Sequence, residues 1–224
     1  MPLSRDSLAD DSFKQKMLDE APGEMTLMEE EAFQASRRAI LERAEEAGEL
    51  WVFGYGSLIW NPIVEVAGRR TARLPGHSRR FCVWAPIGRG TPEHPGLWLA
   101  LDEGGAGCEG VALRLPEGAW EKETTILWRR EMISGVYRPA WMTLETADGP
   151  LPACVFLSNP AHERYAAVVS HEEQVKAIAG GAGSLGTCRS YLYDLSAGLA
   201  RHGLADPYID RLARDVRARA GEDA

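Results

Sequence analysis

Between Leu50 and about Leu115 the chain runs through four short apolar stretches rich in β-branched and aromatic residues: "LWVFGY", "RRFCVWA", "GLWLAL" and "GVALRL". Each break between them carries Gly, Pro or both, the punctuation expected between strands. The segment from Ile87-Gly88-Arg89-Gly90-Thr91-Pro92 to Pro95-Gly96 reads as a flexible hairpin loop. A helix follows from Glu117 to about Arg130, with Trp120, Ile126 and Leu127 as apolar contacts. Two further strands, "VYRPAWMTLET" and "PACVFL", are joined by the turn Asp148-Gly149-Pro150. The last third is helical. Asn159-Pro160, and Ser170 with Glu173, have the form of helix starts. Past Gly180-Gly181-Ala182-Gly183 a helix carries Tyr191, Leu192, Leu195 and Leu199 and ends near Gly203. A final helix opens at Asp206-Pro207 and puts Ile209, Leu212, Ala213 and Val216 on one face. Strands first, with inserted and trailing helices, point to an α+β domain rather than a parallel βαβ sheet.

Ahead of this core, residues 1–25 are polar and poorly periodic and read as a mobile lead-in. Thr26 and Glu29 have capping-box spacing for a helix over 26–48, with Phe33, Ile40, Leu41 and Ala44 on one face and Gly48 as its stop. Residues 49–224 then form one domain, the better prior for a 224-residue chain. A 45% hydrophobic and 26% charged composition is ordinary for a globular protein. The formal net charge of −8 gives no support to a nucleic-acid surface, which needs clustered positive charge. No apolar run approaches the roughly 20 residues that span a bilayer, so no membrane partner is expected. The opening "MPLSRDSLADDSFKQK" lacks the apolar core and cleavage site of a signal peptide. Cys82, Cys108, Cys154 and Cys188 form no C-x-x-C pair and are expected to be reduced, which places the protein in the cytoplasm. The sequence sets no oligomeric state.

Within the first strand an apolar run is interrupted by two glycines, a tyrosine and a serine, "WVFGYGSLIW", and then resumes. Either a strand ends there in a turn, or a backbone loop holds a ligand. A dinucleotide-binding turn would need a third glycine where Ile59 stands, and Trp60-Asn61-Pro62 does not begin a helix. A nucleophile elbow around Ser57 would need glycine at Tyr55 and Ile59. No Walker A lysine follows a glycine loop, and His77, His94, His162, His171 and His202 have no metal-ligand spacing. A second unusual place is "LWRREMISGVY", where Glu131 sits between two arginines and an apolar stretch at a helix-to-strand junction. It reads either as a surface ion pair or as a partly buried general base. Apolar surroundings would raise its proton affinity and the neighbouring guanidinium groups would lower it.

Taken together, "VFGYGSLIWNP" at Val52–Pro62, "RRFC" at Arg79–Cys82, "GRGT" at Gly88–Thr91, "LWRREMISGVY" at Leu127–Tyr137 and "GSLGTCRSYL" at Gly183–Leu192 resemble the ChaC-type γ-glutamylcyclotransferases that act on glutathione. The resemblance spans roughly residues 50–215. It implies a small mixed or antiparallel β-barrel surrounded by helices, and a cofactor-independent lyase, with neither metal nor organic cofactor, that converts glutathione to 5-oxoproline and Cys-Gly. It places the catalytic carboxylate on Glu131 and the substrate-cradling loop on Val52, Phe53, Gly54, Tyr55, Gly56, Ser57 and Leu58. In the last motif Cys188 stands where asparagine is common in the family, and Ser190 where an acidic residue is common, so no substrate contact is carried over from it.

In such a reaction the substrate's own α-amine attacks its γ-carbonyl, so no protein nucleophile is needed. Ser57 is open to a substrate contact or a turn-stabilising role, and Tyr55 to lining a pocket or packing. Tyr137 is a weaker pocket candidate and Arg80 a candidate anion partner, while the tryptophans read as core. The rival readings are a cyclotransferase for other γ-glutamyl amino acids or amines, and a non-catalytic module that binds γ-glutamyl ligands.

Overall fold

The structure is a computed structural model that describes residues 4–10, 12–20 and 26–222. Its centre is a closed barrel of five strands in the order β1-β5-β2-β6-β7. These are β1 (Trp51–Gly54), β2 (Gly68–Leu74), β5 (Cys108–Arg114), β6 (Tyr137–Thr146) and β7 (Gly149–Ser158). Neighbours run antiparallel except where β7 closes on β1 in parallel, Val52 opposite Cys154. Closure removes the exposed edges that an open sheet would leave unpaired. β3 (His77–Ala85) and β4 (Gly96–Glu103) form a separate hairpin, with a register shift between Phe81 and Val83. This is the α+β architecture read from the residue pattern, and the small barrel with surrounding helices that the family resemblance implies.

The strand that the sequence does not announce is β2. Its seven residues, "GRRTARL", include three arginines and face mostly outward, yet it pairs with β5 from Gly68↔Arg114 to Leu74↔Cys108. A strand at a solvated barrel wall needs only Ala72 and Leu74 inside, too few apolar positions to stand out.

The helices are α3 (Glu30–Ala47), α4 (Trp120–Glu131), α5 (His171–Gly180), α6 (Cys188–Arg201) and α7 (Pro207–Ala220). The expected core face of α7 is buried, Ile209, Leu212, Ala213 and Val216, and so are Ile40, Leu41 and Ala44 of α3, while Phe33 at the start of α3 is only partly buried. Gly48 ends α3 in the left-handed region at φ 74°. Two expected helix starts are not used. Glu29 is the N-cap of α3 and no side chain caps it, so the Thr26–Glu29 box does not form. Asn159-Pro160 opens a series of turns instead, held by the Asn159 side-chain amide on the Gly135 carbonyl at 2.8 Å.

The lead-in expected over 1–25 lies partly outside the described residues. Those described include two helices, α1 (Arg5–Ala9) and α2 (Ser12–Glu20), which bury Leu8, Phe13 and Met17 against the domain. Three apolar side chains in a polar stretch are a sparse pattern, but they are the ones that find partners. No helix of the described residues is long and apolar enough to cross a membrane. All four cysteines are buried and unpaired by disulfides.

α5 has the capping box that the sequence predicts. The Ser170 hydroxyl accepts from the Glu173 N–H at 3.2 Å, and Glu173 Oε2 accepts from the Ser170 N–H at 2.8 Å. Replacing Ser170 with alanine is expected to cost about 1 kcal/mol. Urea denaturation should show a lower midpoint with an unchanged slope.

Candidate active site

Glu131 is the last residue of α4, so its position is set by whatever pins that helix. One turn back, Trp128 is buried and stands edge-on to Phe156 of β7, ring centroids 5.2 Å apart. On its other side the Trp128 indole N–H donates to Ser36 Oγ of α3 at 2.9 Å. The Arg37 guanidinium donates to Glu121 Oε2 at 2.5 Å, near the start of α4. The end of α4 is thereby fixed between barrel and outer helix. Glu121 and Glu123 at its start and Arg129 and Arg130 at its end also complement the helix dipole.

The side chain of Arg130 holds the site together. Its Nε lies 3.0 Å from Glu131 Oε1, one terminal nitrogen donates to Ser57 Oγ at 2.5 Å and the other to the Asn61 carbonyl at 2.6 Å. Both members of the ion pair are shielded, with side-chain exposures of 7% for Arg130 and 15% for Glu131. Arg129 turns the other way and donates to the carbonyls of Leu8 and Ala9.

The run broken at Gly54 is the place where β1 leaves the barrel and folds into a 3₁₀ turn, Ser57–Ile59. The Ile59 N–H bonds the Gly56 carbonyl at 3.0 Å and the Asn61 N–H bonds the Ser57 carbonyl at 2.8 Å. Gly56 makes room for α6. A Cβ there would sit 2.7 Å from the Tyr191 hydroxyl oxygen, which itself accepts the Ser57 N–H at 3.2 Å. At Gly54 a Cβ would be 3.1 Å from Leu58 Cβ and 3.3 Å from the Val111 carbonyl, so this glycine lets the turn close on the barrel.

These elements enclose a cavity of about 500 Å³. Glu131, Tyr55, Gly56, Ser57 and Leu58 all line it, as does Tyr137. Val52, Phe53 and Gly54 do not; they are buried behind it in β1. Arg80 is elsewhere, paired with Asp102 at 2.6 Å and bonded to the Ala167 carbonyl at 2.9 Å. Of the tryptophans, Trp60 and Trp98 reach the cavity wall.

Three lining groups were not legible as such: Arg89, Tyr191 and the α2 pair Phe13 and Met17. The Tyr191 ring lies edge-on to Trp60 at 5.2 Å and 5.0 Å from the Arg89 guanidinium carbon. Arg89 donates to the Thr187 carbonyl at 2.7 Å and to the Ser190 hydroxyl at 3.4 Å, and among the described residues no carboxylate comes within ion-pair distance of it. Cys188 is buried, its thiol 3.1 Å from the Arg89 carbonyl, and Ser190 bonds back to the Thr187 carbonyl at 2.8 Å.

The two opposing influences on Glu131 resolve in one direction. Burial raises its proton affinity above that of an ordinary glutamate, and Arg130 only partly offsets this. Its place at the negative end of α4 works in the same direction as burial. Burial also pushes up the phenols of Tyr55, Tyr137 and Tyr191, with the Glu131 charge adding to each, so all three stay neutral donors. The Tyr137 hydroxyl is committed to the Leu99 carbonyl at 2.8 Å. The cavity thus sets one basic carboxylate among neutral phenols and apolar walls. Among the described residues no group of three or more His, Cys, Asp or Glu is arranged to hold a metal ion.

Residues 50–219 match the family model described as "ChaC-like protein". The chain belongs to the ChaC-like family. It is 41% identical over 190 residues to the glutathione-specific gamma-glutamylcyclotransferase of Escherichia coli K12, covering 84% of this chain and 82% of that protein. It is 32% identical over 178 residues to gamma-glutamylcyclotransferase 2-1 of Arabidopsis thaliana, covering 75% and 82%. Among solved structures, the selenomethionine-labelled glutathione-specific enzyme of yeast superposes with a TM-score of 0.70 at 22% identity, over 76% of this chain and 96% of that one. That likeness is one of fold. The match to the family model begins one residue before β1, so α1, α2 and α3 lie outside it.

A Gly56→Val substitution drives a side chain into the Tyr191 hydroxyl. Overpacking of this kind is expected to cost about 1–3 kcal/mol. Thermal unfolding should show the loss, with the far-ultraviolet circular dichroism of the folded state retained.

Proposed function

We propose that this protein degrades glutathione by cyclising its γ-glutamyl group, releasing 5-oxoproline and Cys-Gly. The observation that carries this reading is the juxtaposition of a shielded carboxylate of raised proton affinity, Glu131, with the Tyr55–Leu58 turn in a single cavity. The names of the Escherichia coli and Arabidopsis relatives support the same reaction class.

The substrate carries both reacting groups, which relieves the protein of supplying a nucleophile. Its α-amine nitrogen forms a bond to the γ-carbonyl carbon, and the bond from that carbon to the cysteinyl nitrogen breaks. The attacking nitrogen sheds two protons, one as the α-ammonium before attack and one as the lactam forms, and the departing cysteinyl nitrogen gains two. Glu131 relays them one at a time, so atoms and charge balance without water. Proton transfer by a positioned side chain is worth about 10²–10⁴-fold. Holding the γ-glutamyl chain bent so that amine and carbonyl meet contributes more, up to about 7–11 kcal/mol for well-oriented ring closure.

The backbone at Gly56–Leu58 offers donors for the carbonyl oxygen as it gains negative charge. Among the described residues the Ser57 N–H is taken by Tyr191, which leaves those of Gly56 and Leu58. Arg89, which has no carboxylate partner among the described residues, receives a carboxylate of the substrate. Burial lowers its proton affinity from the usual value, but a guanidinium remains charged at neutral pH.

Incubating the purified protein with glutathione should yield equimolar 5-oxoproline and Cys-Gly, and failure to form 5-oxoproline would sink the reading. Glu131→Gln should still bind glutathione while losing about 10²–10⁴-fold in kcat. A variant turning over at the original rate removes Glu131 from the mechanism. Because the base must be ionised, kcat/KM should fall as pH drops through a value above the ordinary glutamate range. Arg130→Met removes the one influence that favours the anion, so it should move this acid limb to still higher pH. A limb that stays put or moves down would show that another group sets it.

A further inference from the structure

The N-terminal segment lies outside the family-matched residues, yet it closes one side of the cavity. It is tied down at three places. Arg5 of α1 forms a two-pronged ion pair with Glu123, 2.7 and 2.5 Å, and the Glu123 side chain is fully buried. The same guanidinium donates at 3.1 Å to the carbonyl of Ile63. Ile63 has φ 63°, a left-handed conformation rare for a β-branched residue, and sits two residues after Asn61, which Arg130 holds. Next, Arg129 at the end of α4 donates to the carbonyls of Leu8 and Ala9. Finally, at the far end of α2, the Ser184 hydroxyl donates to Glu20 Oε2 at 2.6 Å. α2 therefore runs across the cavity, from the helix that carries Glu131 to the loop that carries Ser184 and Leu185. Phe13 and Met17, four residues apart on one face of α2, line the cavity and are 8% and 2% exposed.

We propose that Phe13 and Met17 form the wall that receives the leaving dipeptide of the substrate, and so help decide which γ-glutamyl compound is accepted. This rests on the cyclisation reading. The charged α-amine and the reacting carbonyl belong at the polar end, where Arg130, Glu131 and Ser57 converge. Phe13, Met17 and Leu185 present an apolar surface, which suits an uncharged cysteinyl side chain and offers nothing to an ammonium or a carboxylate. Burying apolar surface on such a wall favours a substrate that extends past the scissile amide over one that stops short of it.

The test compares glutathione with γ-glutamyl-alanine, which ends sooner, using the full chain and its Met17→Ala and Phe13→Ala variants. The ratio of the two kcat/KM values should fall by about ten-fold or more in each variant, mostly through KM for glutathione. The Kd of glutathione for Glu131→Gln should rise by a similar factor when Met17→Ala is added. Met17→Leu, close in volume, should restore the ratio. Should the alanine variants fail to fold, Ser184→Ala loosens the far end of α2 from an exposed position and should shift the ratio in the same direction. Turnover of both substrates by the unaltered chain, with a ratio that no variant changes or with equal losses for both, would overturn this inference and leave the cyclisation reading standing. No 5-oxoproline from either substrate would overturn both.

Discussion

The site depends on the one guanidinium of Arg130. It joins the end of α4 to both ends of the turn after β1: the Glu131 carboxylate on one side, the Ser57 hydroxyl and the Asn61 carbonyl on the other. Two of these belong to the loop and one to the helix, so a single planar fork sets the distance between carboxylate and turn. Arginine suits this better than lysine, because its donors have fixed directions and stay charged when shielded. The cost of shielding a carboxylate, several kcal/mol if left alone, is lowered by the pair without being abolished. That incomplete compensation leaves Glu131 with more affinity for a proton than an ordinary glutamate, the property that the proposed base needs.

The barrel's part is to deliver the turn. β1 lies between β5 and β7 with all four residues buried, so the chain leaves it from a fixed point and in a fixed direction. Gly54 lets the turn fold onto the barrel, and Gly56 lets Tyr191 of α6 approach closely enough to accept the Ser57 N–H. The glycines in "FGYGS" thus answer to packing on both faces of the loop.

How much of this the sequence disclosed follows from the range of the interactions concerned. Alternating apolar runs, the Ser170 box and the Asp206-Pro207 start are local, and the elements they predict are present. β2 escaped because only two of its residues face inward and its arginines dominate its composition. Asn159-Pro160 looked like a helix start but spends its side-chain amide on the Gly135 carbonyl. For Glu131 the sequence left a surface ion pair and a partly buried carboxylate open, and the structure combines their geometry: it is paired with Arg130, and the pair is shielded rather than at the surface. Tyr191 and Ser57 are 134 residues apart, and Phe13 and Met17 reach a cavity built mainly after Leu50. No local pattern encodes such meetings. Val52, Phe53 and Gly54 belong to the motif but are buried on both faces of β1 and do not line the cavity.

Charge inside the cavity runs against charge on the molecule. The chain carries a formal net −8, whereas the lining holds Arg89 and Arg130 against the carboxylate of Glu131. An anionic tripeptide approaching such a protein meets a repulsive field at long range. At physiological ionic strength that field is screened within about 8 Å of the exposed charges. At the cavity wall, where it is partly buried, Arg89 acts at short range and at a lower effective dielectric than in open solvent, where each charge counts for more. Recognition of an anion here is therefore a contact property of the lining rather than a matter of steering. Selectivity consequently falls to the shape and polarity of the walls, including the two side chains that α2 contributes.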